Sequence, residues 1–122
     1  MPDKTISILL PTRKRADLAI RSLASLRATA ARPERLEIML AIDQDDEASG
    51  EIVTLWCATH DVRWQAWYTP RLGYKNLHHY VNKLAHLSTG DWLFIWNDDV
   101  MMRTRGWDDV LVACRYAQIG DP

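Results

Sequence analysis

Residues 91–102 read Asp91-Trp92-Leu93-Phe94-Ile95-Trp96-Asn97-Asp98-Asp99-Val100-Met101-Met102, five apolar residues running straight into an amide and two adjacent carboxylates. A run this apolar, with Phe, Ile and two Trp, predicts a strand covered on both faces, as parallel sheets are. Asn97, Asp98 and Asp99 then emerge where the strand stops. Open α/β sheets bind ligands at the carboxyl ends of their strands, and paired oxygen ligands there suit a hard divalent cation that carries phosphate.

The chain before this stretch alternates strand and helix. A β-rich run over 5–10 is stopped by Pro11, and a helix follows over 16–29 with Leu18, Leu23 and Leu26 inward. Between them Pro11-Thr12-Arg13-Lys14-Arg15 brings three cations to a helix amino terminus. A mostly apolar second strand over 36–42 belongs inside the sheet and ends in Asp43-Gln44-Asp45-Asp46-Glu47. A calcium loop fails there, because Ala48 stands where the sharp-turn glycine belongs and Thr54 where the bidentate glutamate belongs. Asp43 is placed to accept a ligand's N–H edge, whereas Asp45 to Glu47 read as acids capping a helix over 48–59.

A third strand over 62–68 alternates only partly, which predicts an edge with one wetter face. The loop after it, Thr69-Pro70-Arg71-Leu72-Gly73, leads to a helix over 74–87 with Leu77, Tyr80, Val81, Leu84 and Leu87 on one face. His78 and His79 ride on that helix but point apart, so they do not read as a metal pair. After residues 91–102 comes a last helix over 107–117, with Asp108 and Asp109 as acids of its first turn. Four strands alternating with four helices, without repeats or linkers, predict one Rossmann-like α/β domain over 1–122, a three-layer α/β/α sandwich on a mainly parallel four-stranded sheet.

Composition narrows the ligand classes. The chain has 122 residues, 48% of them hydrophobic, enough for a single core. A formal net charge of −1 singles out neither nucleic acid nor an acidic membrane as a partner. No stretch approaches the roughly 18 apolar residues of a spanning helix, and Cys57 and Cys114 form no CxxC pair, so a cytoplasmic, reducing location is expected. Gly50, Gly73, Gly90, Gly106 and Gly120 build neither a dinucleotide fingerprint nor a P-loop. What remains is a rim of strand ends offering Thr12, Arg13 and Arg15, then Asp43, then Arg71 and Lys75, then Asp98 and Asp99. A nucleoside diphosphate needs that mixture: acceptors for base and ribose, cations for phosphates, and carboxylates for a bridging metal.

In this order the motifs resemble the amino-terminal, nucleotide-binding half of GT-A-type glycosyltransferases, especially family 2. Ile8-Leu9-Leu10-Pro11-Thr12-Arg13 is similar to that family's first strand and turn, and Ala41-Ile42-Asp43 to its second strand with the base-binding aspartate. Gly73-Tyr74-Lys75-Asn76 is similar to its glycine and basic helix start, and Thr89 to Asp99 to its Gly-Asp-aromatic strand ending in a DxD-type motif. Two departures stand out: Asn97 in place of the first acid of a strict DxD spacing, and Gln44-Asp45 in place of the small turn usual after the second strand.

The resemblance implies a truncated GT-A fold with strand order 3-2-1-4 and metal-assisted, inverting transfer from a nucleoside-diphosphate sugar, UDP-type first. It implies that Thr12, Arg13, Arg15 and Asp43 contact the nucleotide, with Arg71, Gly73 and Lys75 near base or phosphates. Asp98 would face the ribose and the metal, and Asp99 would ligate Mn²⁺ or Mg²⁺. No residue matches the family's general base, so a nucleotide-binding or assembly module without turnover is the alternative. The same strand order leaves the apolar fourth strand at an open edge, which predicts a homodimer or larger oligomer covering it together with Met101 and Met102.

Overall fold

The computed structural model describes residues 4–114. Four parallel strands, β1 (Ile6–Thr12), β2 (Leu36–Asp43), β3 (Arg63–Thr69) and β4 (Trp92–Ile95), pair in the order β3-β2-β1-β4. Helices α1 (Ala16–Thr29), α2 (Glu47–Thr59) and the short α4 (Trp107–Val112) lie on one face of the sheet, and α3 (Leu77–Leu87) on the other. This is the expected three-layer sandwich. The part of the last predicted helix over 115–117 lies outside the described residues.

The layers follow from the period of two along each strand. Ile6, Ile8 and Leu10 of β1, with Leu36, Ile38, Leu40 and Ile42 of β2, face α1, α2 and the Trp107 ring. Leu9, Met39 and Ala41 face the other way, onto Tyr80 and Leu84 of α3. Every residue of β2 is buried, as an internal strand requires. The Cys57 thiol lies in the larger core, where burial pushes it up to about 12, so it is no nucleophile.

Three sequence expectations are corrected. Pro11 does not stop β1, which runs on to Thr12. The Leu9 carbonyl accepts the Trp96 N–H, so alternate residues of β1, Pro11 among them, turn their backbone groups toward β4. Pairing with β4 has ended by Ile95, so the imino ring forfeits no ladder bond. Leu18 is 36% exposed, because at 100° per residue the buried stripe of α1 runs through Ala19, Ser22, Leu23 and Leu26. Nor is β4 covered on both faces: Trp92, Phe94 and Trp96 pack on the α1/α4 side, while Leu93 is 49% and Ile95 60% exposed. The cause is topological, since β4 is an edge strand and α3 sits over β1 and β2 instead.

At the amino-terminal end of the sheet a buried polar knot fixes where β4 begins. Glu37 accepts hydrogen bonds from the Ser7 hydroxyl (2.8 Å) and from the N–H and hydroxyl of Thr89 (3.0 and 2.8 Å). Burial pushes the Glu37 carboxyl up, and these donors more than offset it, leaving the group below its ordinary value. The Gly90 N–H completes the knot on Ser7 Oγ (2.9 Å), and a Cβ at Gly90 would fall 2.8 Å from the Ser7 backbone nitrogen. Close backbone approach therefore selects this glycine. All of this lies opposite the rim where ligands are expected.

Candidate functional site

The turn between β1 and α1 is the hub of the carboxyl-end rim. Lys14 adopts a left-handed backbone (φ 51°), unusual for a long side chain, and its N–H is gripped by Asp46 Oδ2 at 2.6 Å. That kink parts the two arginines. Arg13 reaches back to the end of β2, pairing with Asp43 (2.8 Å) and Asp45 (2.6 Å). Arg15 reaches across to the end of β4, with its Nη1 3.4 Å from Asp98 and 3.7 Å from Asp99.

Asp45 is thus a partner of Arg13, not the helix-capping acid its position suggested, and Asp46 caps no N–H of α2. Its oxygens are taken instead by Lys14 N–H and by the Ser49 hydroxyl (2.9 Å). Hydrogen bonding to Asp45, then to Asp43, holds the Arg13 guanidinium protonated well above its ordinary value. The Arg13 hydrogen bond in turn lowers the Asp45 carboxyl.

Asp43 is buried at the end of β2 and serves two donors: Arg13 on Oδ2 and the Tyr80 hydroxyl on Oδ1. Tyr80 Oη also accepts the Leu72 N–H at 2.8 Å, so a relay runs from the 70–73 loop through α3 to Asp43. Burial, then the bond to Asp43, raises the Tyr80 hydroxyl above its ordinary value. A carboxylate has about four acceptor sites, so Asp43 keeps capacity for a ligand N–H. Tyr80 reads in the sequence only as one residue of an apolar helix face; its polar tip is what the periodicity conceals.

Asp98 is likewise buried, and the Thr12 hydroxyl donates to its Oδ2 at 2.9 Å. The last residue of β1 thereby orients the acid that follows β4. Asp99 beside it is exposed. Two adjoining cavities occupy the rim. The smaller, about 170 Å³, is walled by Thr12, Asp43, Arg71, Gly73 and Tyr80, among others. The larger, about 550 Å³, is lined by Lys14, Arg15, Trp96, Asn97, Asp98 and Asp99. Pro11, Arg13, Tyr74 and Leu77 line both and form the ridge between them.

The rim thus brings together Thr12, Arg13, Arg15, Asp43, Arg71, Gly73, Asp98 and Asp99. Lys75 lines neither cavity. Gly73 holds φ 86° and ψ 162°, a conformation essentially confined to glycine, and so swings the chain over the small cavity into α3. Tyr74, 89% exposed on the ridge, is a lining residue to which the Gly73-Tyr74-Lys75-Asn76 motif assigned no role. His78 and His79 are exposed, and among the described residues no cluster of three or more His, Cys, Asp or Glu could hold a metal unaided.

Sheet order and layers define a Rossmann-like α/β fold with two cavities at the carboxyl ends of its strands. Among solved structures the chain is similar to a mannosyltransferase from Pyrobaculum calidifontis, determined in complex with GDP-Man and Mn²⁺, at TM-score 0.71 and 20% sequence identity. The match covers 86% of this chain and 30% of that one, so the domain spans about a third of the mannosyltransferase's length. No protein-family model and no curated protein matches the chain. No helix among the described residues is long and apolar enough to cross a membrane.

Proposed function

We propose that this domain binds a nucleoside-diphosphate sugar with Mn²⁺ or Mg²⁺ and forms the donor half of an inverting glycosyltransferase. The observation that carries the reading is the paired cavity. Its small lobe sets Asp43 and Arg71 around a space for a base, and its large lobe sets Arg15, Lys14 and two carboxylates around a space for diphosphate and sugar. UDP is the first candidate, since a one-ring base suits the smaller lobe. In this reading Thr12, Arg13 and Asp98 meet the ribose and Arg71 the base or phosphates, while Lys75, which lines neither lobe, has no contact assigned.

The donor set fits a hard cation. Asp98 and Asp99 offer oxygens only, and two carboxylates with the balance from phosphate and water is how Mg²⁺ is commonly bound. When bound, the cation neutralises charge on the departing diphosphate. The chain's own side chains bind and orient: Thr12 fixes Asp98, and Arg13 stiffens the β2 end.

Calorimetric titration with UDP and GDP, with and without Mn²⁺, tests this. Binding is expected to need metal, and Asp99→Ala to weaken it at least about tenfold. Metal-blind binding that survives the substitution would point to another ligand. The alternative is a nucleotide-binding module without turnover. Release of nucleoside diphosphate from a nucleotide-sugar in the presence of Mn²⁺ separates turnover from binding.

The exposed Leu93 and Met101 beside a strand edge that is unpaired among the described residues support association through β4, whereas Met102 already packs on the main core. A dimeric or larger mass is expected at micromolar concentration in light scattering, falling to monomer in Leu93→Lys. A monomeric mass for the unaltered chain would remove this part of the proposal.

A further inference from the structure

The two arginines of the β1–α1 turn hold their carboxylates very differently. Arg13 lies 2.6 and 2.8 Å from its partners with its side chain one-quarter exposed, whereas Arg15 stands 3.4 and 3.7 Å from Asp98 and Asp99 with its side chain 54% exposed. Short, sheltered contacts persist; long, wet ones exchange readily. We infer that Arg15 is an exchangeable placeholder, neutralising Asp98 and Asp99 until a divalent cation displaces it, after which its guanidinium turns to the ligand's diphosphate. This rests on the metal–diphosphate reading of the site given above.

Charge bookkeeping supports the exchange. Two carboxylates against one guanidinium leave a net −1 at the end of β4; a divalent cation brings that to zero and frees one positive charge. The freed cation lines the same large cavity as the carboxylates, so it need not cross the protein to meet phosphate oxygens. Arg15 closes the turn just before α1, without side-chain capping bonds, so rotamer change alone can move it. Asp98, by contrast, is pinned by the Thr12 hydroxyl and stays in place for the incoming ion. Arg13 does not take part: Asp43 and Asp45 hold its guanidinium in the ridge between the lobes, paired away from Asp98 and Asp99.

The exchange predicts effects of opposite sign at one residue. Mn²⁺ binding without nucleotide, read from loss of the free-ion electron paramagnetic resonance signal, is expected to be about three- to tenfold tighter in Arg15→Gln than in the unaltered chain. UDP or GDP binding to the Mn²⁺-saturated variant is expected to be about three- to tenfold weaker. Arg15→Lys, which keeps the charge, should leave Mn²⁺ affinity within about twofold. A merely structural Arg15 would shift both affinities the same way or neither, and either result overturns the exchange. If the unaltered chain and Arg15→Gln both bind Mn²⁺ equally, the placeholder role fails while the metal site stands. If neither binds Mn²⁺ at millimolar concentration, the exchange fails together with the metal–diphosphate reading.

Discussion

Asp108→Ala is expected to be the most destabilising single substitution in the described chain outside the hydrophobic core, by about 3–5 kcal/mol. Asp108 is 0% exposed, and its two oxygens accept the N–H groups of Ala31 (2.7 Å) and Arg32 (2.9 Å). Those donors belong to the extended chain leaving α1 for β2, just past the last helical hydrogen bond, from Ala30 N–H to the Leu26 carbonyl. Arg35, also buried, lies 3.6 Å from Asp108 and 3.1 Å from the exposed Asp109. Removing Asp108 strands two backbone donors and leaves a buried guanidinium with one wet partner. Thermal unfolding should fall by about 10 °C or more. A loss under about 1 kcal/mol would mean that α4 does not clamp the α1–β2 connection.

The same carboxyl gives a pH signature. Burial raises the Asp108 pKa, but the Ala31 and Arg32 N–H groups, with Arg35 beyond them, more than offset this and leave it depressed. A depressed folded value means that its contribution is complete above the unfolded carboxyl pKa, about 3.9, and is lost as pH falls through the folded value. The stability gap between the unaltered chain and Asp108→Asn should therefore narrow below about pH 4, as denaturant midpoints across pH 3–7 would show.

Asp108 also marks what pattern reading reaches. An acid in the first turn of a helix is legible from sequence, and Asp108 is one. That it clamps the connection after α1 is not, because residues so far apart in the chain meet only once the sheet is assembled. Strand–helix alternation, the burial of β2 and the wet edge at β3 follow from periodicity, and all stand in the fold. The double cover expected for β4 fails for a global reason: composition tells how apolar a strand is, but strand order decides how many neighbours it receives. At the rim, residue types at strand ends identify most of the cavity walls. The ion-pair assignments escape, since Asp45 is a capping acid by local rules and an Arg13 partner only once the ends of β1 and β2 lie side by side in the sheet.

Asp43→Ala separates the two lobes of the site and should act on only one. It removes the acceptor of both Arg13 and Tyr80, so the Tyr80 hydroxyl loses its partner and the Leu72 N–H relay loses its anchor. A stability loss of about 2–4 kcal/mol follows from breaking a buried charged pair and its hydrogen bond. Affinity for UDP or GDP should drop about a hundredfold, the equivalent of one lost charge-assisted contact at about 2.7 kcal/mol. Mn²⁺ binding in the absence of nucleotide should stay within about twofold, since Asp98 and Asp99 line the other lobe and take their contacts from Thr12 and Arg15, not from Asp43 or its partners.

Tyr80→Phe supplies the control that keeps this falsifiable. It removes the donor to Asp43 and the acceptor of the Leu72 N–H but leaves the Asp43 carboxylate and its Arg13 pair, so it should cost about 1–2 kcal/mol of stability and under about threefold in nucleotide affinity. If Tyr80→Phe weakens nucleotide binding as much as Asp43→Ala, then Asp43 acts by tethering the 70–73 loop and not by touching the base. If Asp43→Ala binds nucleotide as the unaltered chain does, the small lobe is not a nucleoside site. Should Asp43→Ala lose Mn²⁺ binding as well, the ridge of Pro11, Arg13, Tyr74 and Leu77 does not insulate the lobes, and the rim behaves as one electrostatic unit.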